Sequence, residues 1–128
     1  MNTILRQACI IALVLLGVVA NGFSAEISAE ETRKIEALIA QVQTLKDATF
    51  VRNGSDYDAK TAARFLRGKW SSNESEIKTA QDFIAKAATG SSTSGKPYLI
   101  RFKGGREVPC AEYLKGELEK MATPKGKP

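Results

Sequence analysis

Apolar residues recur at helical spacing four times along this chain, and shorter runs between them have the composition of strands. Ile35, Leu38, Ile39, Val42 and Leu45 fall on one helical stripe, with Arg33, Lys34, Glu36, Gln41 and Gln43 on the wet side. Ser28 stands ahead of that stripe with Glu31 three residues on, which is the spacing of a capping box and predicts the start of the helix. Thr49-Phe50-Val51-Arg52 then reads as a strand. Asn53-Gly54 follows and Ser55-Asp56-Tyr57 resumes the extended pattern. Asn-Gly between two such runs predicts a tight hairpin, because both central residues must take positive φ.

Asp58 is placed to cap a second helix whose inner face is Ala62, Phe65, Leu66, Lys69 and Trp70, with Lys60, Arg64 and Arg67 together on the outer face. A polar break, Ser71-Ser72-Asn73, precedes a third helix expected to begin at Ser75 or Thr79 and to run to Ala88, burying Ile77, Ala80, Phe83, Ile84, Ala87 and Ala88. Thr89-Gly90-Ser91-Ser92-Thr93-Ser94-Gly95 is a loop by composition. Lys96-Pro97 leads from it into a strand, Tyr98-Leu99-Ile100-Arg101-Phe102, and Gly104-Gly105 turns the chain. Pro109 suits the first turn of a last helix carrying Cys110, Tyr113, Leu114, Leu118 and Met121 on its apolar side. Both periods in one short chain predict an α+β fold: about four helices with a small antiparallel sheet that contains the Asn53-Gly54 hairpin and the strand from Tyr98 to Phe102.

The first residues change the setting of this domain. One basic residue, Arg6, precedes an uncharged apolar run at 8–20, and Val18-Val19-Ala20 offers small residues to a signal peptidase. That is the pattern of a secretory signal peptide, 1–20, with a second possible cut after Ala25. The run is shorter than the ~20 residues a bilayer span needs. Cys9 lies at the start of that run instead of after it and so cannot be a lipoprotein cysteine. The expected product is a free, unanchored protein of one domain, 26–122, with a frayed basic tail at 123–128. Losing Arg6 takes one from the 19 basic residues against 14 acidic ones, a net charge of +4. That favours anionic surfaces weakly and is not a nucleic-acid signature. Cys110 remains without a second cysteine, so no internal disulfide is expected, and a buried thiol and a monomer are. The sequence contains no histidine, which excludes Ser-His-Asp and Cys-His nucleophile pairs and removes the commonest transition-metal ligand.

Candidate chemistry is correspondingly thin. Gly90 to Lys96 matches G-x-x-x-x-G-K, but Pro97 stands where a P-loop needs Ser or Thr, and the segment follows a helix and opens a strand, the reverse of a P-loop. The same loop, with its hydroxyls, glycines and Lys96, is also a candidate anion nest of backbone N–H groups or a solvated connector. Ser94 beside Lys96, and Ser75-x-x-Lys78, have spacings that a serine–lysine hydrolase would use, without any mark of an oxyanion hole. Arg52-Asn53-Gly54 is turn chemistry, or an Arg held on a rigid hairpin to pair with a carboxylate or phosphate. Glu30-Glu31, Asp56/Asp58 and Glu117/Glu119 show no pattern for acid–base work or a Ca²⁺ loop. No cofactor and no metal are expected.

Two strings are more distinctive. Phe50-x-Arg52-Asn53-Gly54-x-x-Tyr57 and Ser92-x-Ser94-Gly95-Lys96-Pro97-Tyr98, with Phe65-Leu66-x-x-Lys69 and Phe83-Ile84 between them, resemble the YfeK-like family of small secreted bacterial proteins, which carries a domain of unknown function. The resemblance runs from about Glu30 to Leu118. It implies a Gram-negative periplasmic or exported protein and supplies no activity, substrate or catalytic residue. It also implies a His in many members where this chain has Phe65, so any chemistry resting on that His is not available here. The expectation is therefore a non-enzymatic envelope protein that binds or scaffolds. Its candidate ligand-binding residues are Arg52, Asn53, Ser91, Ser92, Ser94 and Lys96, and its expected partner is an anionic envelope component or another envelope protein. The alternative is a small serine/lysine hydrolase built on the 91–96 loop.

Overall fold

The computed structural model describes residues 26–91 and 93–122. The predicted signal peptide with its two candidate cuts, Ser92 and the 123–128 tail lie outside the described residues. The elements run α1 (Ala29–Gln43), β1 (Thr49–Arg52), β2 (Ser55–Tyr57), α2 (Ala59–Ser72), a 3₁₀ turn (Glu74–Glu76), α3 (Ala80–Ala87), β3 (Leu99–Arg101), β4 (Glu107–Pro109) and α4 (Cys110–Ala122). The fold is α+β, four helices with a four-stranded antiparallel sheet in the order β2-β1-β3-β4.

Each helix buries most of the stripe its sequence marks, although Met121, expected on the apolar side of α4, is exposed in the last turn. Ile35, Leu38, Ile39 and Val42 of α1 meet Ala62, Ala63 and Leu66 of α2, Phe83, Ile84 and Ala87 of α3, and Leu114 of α4 in one continuous core. Burying each large side chain of this kind contributes about 1.5–3 kcal/mol. Phe65 and Trp70, expected inside, are only half-buried. Trp70 sits at the margin of the core with its ring 6.1 Å from that of Phe83.

The helix starts show where local sequence signals stop being local. Ser28 Oγ accepts the Glu31 N–H at 3.1 Å, as expected of an N-cap. The Glu31 carboxylate does not return to close the box. It pairs with Lys34 at 3.1 Å and accepts the N–H of Ala80, the first residue of α3, at 2.7 Å. The reciprocal box forms instead at α3, which has Thr79 as its N-cap and Ala80 as its first residue, the later of the two expected starts. Thr79 Oγ1 accepts from the Asp82 N–H, while Asp82 Oδ2 accepts from the N–H groups of Thr79 and Lys78. Three N–H donors that an isolated helix start would leave open, those of Thr79, Ala80 and Asp82, are thereby satisfied, together with that of Lys78 just before it.

In the sheet, Tyr57, Phe50, Ile100 and Val108 stand opposite one another and form the row that faces the helices. The other face is open, and there Arg101 bonds Glu107 at 3.0 Å and Asp56 at 3.2 Å. The expected strand from Tyr98 to Phe102 is shorter, Leu99–Arg101, and a fourth strand accompanies it. Pro109, expected in the first turn of α4, is the last residue of that strand. On an edge strand its missing N–H costs no ladder bond. Among the described residues, no helix is long and apolar enough to cross a membrane.

Candidate functional site

The Asn53-Gly54 turn and the 91–96 loop meet at one end of the sheet. Asn53 has φ 53° and Gly54 φ 81°, the two positive values that a primed hairpin turn requires. The register Arg52↔Ser55 makes this turn two residues long. Because β1 and β3 are antiparallel, the segment leading into β3 arrives beside the same turn. Ser94 Oγ donates to Asn53 Oδ1 and joins the two.

The loop is folded tightly on itself. Gly90 and Pro97 form a bridge, and the Ser91 N–H reaches Lys96 O at 3.0 Å. Ser91 is 5% exposed. Its Oγ accepts from the N–H groups of Thr93 and Ser94, and its carbonyl accepts from Gly95 N–H at 2.8 Å. The Lys96 N–H is bound by Ser94 Oγ at 3.2 Å. The backbone donors that an anion nest would aim at a ligand are therefore engaged within the loop, at residues 91, 93, 94, 95 and 96. Any recognition by this segment falls to side chains. Ser91 is an internal brace, Lys96 is exposed, and Ser92 lies outside the described residues. The connection runs from α3 into β3, as the sequence order required, which is the reverse of a phosphate-cradling loop.

Arg52 owes its position to strand parity. Phe50 is buried and faces the helices, so Arg52, two residues on, faces them too, at the end of the sheet where the core runs out. Its guanidinium lies 4.7 Å from the centre of the Phe65 ring on α2, and Phe65 meets the Tyr57 ring edge-on at 4.9 Å. Tyr98, on the same face of the sheet as Ile100, has Lys69 Nζ 5.9 Å from its ring centre. Arg52, Tyr57, Phe65, Leu66, Tyr98 and Leu99 enclose a narrow cleft of about 30 Å³ between α2 and the sheet. Among the described residues no carboxylate lies within ion-pair distance of Arg52, Lys69 or Lys96, a property they share with surface cations such as Lys60, Arg64, Lys103 and Arg106.

Hence the structure places Arg52, Asn53, Ser94 and Lys96 at one end of the sheet and adds four residues whose sequence pattern is that of core or strand positions: Tyr57, Phe65, Lys69 and Tyr98. The register of the two-residue hairpin, which sets Tyr57 opposite Phe50, and the four-residue step from Phe65 to Lys69 would have found two of them. A second cationic groove, about 420 Å³, lies at the opposite end of the sheet, with Lys46, Lys103 and Arg106 around it and Asp47 among them.

Chemistry by nucleophiles has little to work with. The Ser94 hydroxyl is given to the Asn53 amide oxygen, which is not a base. Ser75 is exposed on the 3₁₀ turn. Cys110 forms part of the floor of the cleft, and burial pushes its thiol up to about 12. The outer stripe of α2 is a solvated face on which Arg67 is tied to Glu36 at 2.7 Å. Among the described residues, no group of acidic or cysteine side chains is arranged to hold a metal ion.

Comparison with known proteins gives a consistent placement. No solved structure matches the chain. It is similar to the uncharacterized protein YfeK of Salmonella typhimurium, at 40% identity over 74 residues, which covers 58% of this chain and 62% of that protein. The family of unknown function DUF5329 matches residues 29–122, which include every helix and strand described above. With both strings of the hairpin and the loop inside that match, the chain belongs to the DUF5329 family.

Proposed function

We propose that the protein is a non-enzymatic binding module of the cell envelope that holds an anionic envelope component at the end of the sheet formed by Arg52, Asn53, Ser94 and Lys96. The observation that carries this reading is the Arg52 guanidinium held 4.7 Å from the centre of the Phe65 ring, at the sheet end it shares with Asn53, Ser94 and Lys96 and without a carboxylate in ion-pair distance. A fixed guanidinium held on an aromatic ring is preorganised for a planar anion, and little side-chain freedom remains to be lost on binding. The apolar run at 8–20 supports export, and the predicted free product reaches the envelope as a soluble domain.

The test is retention of the purified protein on cell-envelope fractions. Replacing both Arg52 and Lys96 with Ala is expected to abolish most of that retention. Replacing Lys103 and Arg106 with Ala, in the groove at the other end of the sheet, removes equal charge and is expected to change it little. Unchanged retention in the first double variant, or equal loss in both, overturns the reading.

A further inference from the structure

We propose that the cleft beside Arg52 takes an α-methyl carboxylate, with the acid group on the guanidinium and the methyl group inside the cleft. This rests on the reading of the Arg52–Lys96 end as an anion-binding face and narrows its ligand to one chemical class.

Size decides what can enter. A cleft of about 30 Å³ has room for roughly two water-sized groups, since one such group needs ~10–15 Å³ by this measure. A methyl or ethyl group fits, whereas a leucyl side chain or a sugar ring does not. The walls decide polarity. Tyr57, Phe65, Leu66 and Tyr98 present apolar surface, and Arg52 contributes the charge. Water gains few hydrogen bonds in such a space, whereas an alkyl group gains contact on several sides.

Charge and geometry decide the head group. The Arg52 Cζ lies over the Phe65 ring at 4.7 Å from its centre, and a guanidinium so placed can offer a carboxylate two parallel N–H bonds. Lys69, 5.9 Å from the centre of the Tyr98 ring, adds a second positive charge near the cleft. The ligand class that meets these conditions has its acid one bond from a carbon bearing a methyl group. The C-terminal alanine of a peptide and the lactyl ether of an acidic sugar both carry it.

The experiment is an NMR titration of the ¹⁵N-labelled protein with acetylalanine in both enantiomers, lactate, acetylglycine, acetylleucine and acetylalaninamide. Acetylalanine or lactate is expected to shift the Arg52 side-chain N–H and the Tyr98 and Leu99 amides. Stronger binding of the first points to a peptide end and of the second to a lactyl group. Acetylglycine is expected to bind about fourfold more weakly, the effect of one buried methyl. Acetylalaninamide should not bind, and Arg52→Ala should abolish the shifts while Arg52→Lys leaves them weak. Equal binding of acetylglycine, acetylleucine or the amide overturns the proposal, as does a response confined to Lys46, Lys103 and Arg106. If it fails while the Arg52/Lys96 double variant still loses envelope retention, the anion-binding reading stands and the methyl-carboxylate assignment alone falls.

Discussion

Gly90 is where the 91–96 loop is most vulnerable to a single added carbon. A Cβ built on Gly90 would lie 2.7 Å from the Lys96 carbonyl oxygen and 3.2 Å from both the Lys96 carbonyl carbon and Pro97 Cα. Ordinary contact begins near 3.4 Å, so the oxygen would have to retreat by about 0.7 Å. It belongs to backbone and cannot swing aside. It also accepts the Ser91 N–H at 3.0 Å, so its retreat stretches the bond that closes the loop. Gly90→Ala is therefore expected to destabilise the protein by about 1–3 kcal/mol, the usual effect of forcing a carbon into a packed site. For a domain of ~100 residues that lowers the melting temperature by about 4–20 °C. Gly68 provides the opposite case. It lies inside α2, exposed, and an added methyl group there would meet nothing within 4 Å. Gly68→Ala is expected to stabilise by about 0.5–1 kcal/mol through helix propensity alone. Thermal unfolding followed by far-UV circular dichroism separates the two. Equal melting temperatures for Gly90→Ala and the parent protein would refute the close approach of the two loop strands. So would a drop in Gly90→Ala without any change in the amide resonances of Asn53 and Ser94.

Three further expectations concern other parts of the fold. The Ala80 N–H and Lys34 hold the Glu31 carboxyl below its ordinary 4.5, so its contribution to stability is complete above that pH and is lost as the pH falls through the lowered value. Glu31→Gln should flatten this acid limb in urea titrations at stepped pH, and Glu31→Ala should cost about 1–2 kcal/mol at neutral pH, the range of a lost helix cap. The Cys110 thiol, raised to about 12 by burial, should react with an aromatic disulfide reagent only at the rate at which the protein opens. Rapid labelling of the native protein would show the burial to be wrong. Gly54, at φ 81° in the hairpin, should lose about 1–2 kcal/mol on replacement by Ala, the cost of a side chain in the left-handed region, measured by denaturant unfolding.

Much of the fold is legible in the residue pattern because its elements are amphipathic and its hairpin has a specific turn. The stripe from Ile35 to Val42, the Asp58 cap and the Asn53-Gly54 turn each have one local solution, and the structure contains all three. β4 escapes because Glu107-Val108-Pro109 is too short to show a period, and a Pro beside a helix reads equally well as that helix's first turn. The Glu31 partner escapes because Ala80 is 49 residues away. Of the site, the meeting of the hairpin and the loop is legible in polar residues beyond turn needs. The cleft is not, because Tyr57, Phe65 and Tyr98 look like core residues until the end of the sheet leaves them half-buried.

The Glu31–Ala80 hydrogen bond has a consequence for the order in which the protein assembles. α3 spans eight residues, too few to persist as a helix in water without outside support. Part of that support comes from α1, across a long stretch of chain whose ends must first be brought together. The local Thr79–Asp82 box can start the turn, but the complete helix start awaits the docking of α1. α3 should consequently consolidate after the rate-limiting step, so that removing the Glu31 carboxylate speeds unfolding and leaves the folding rate nearly unchanged.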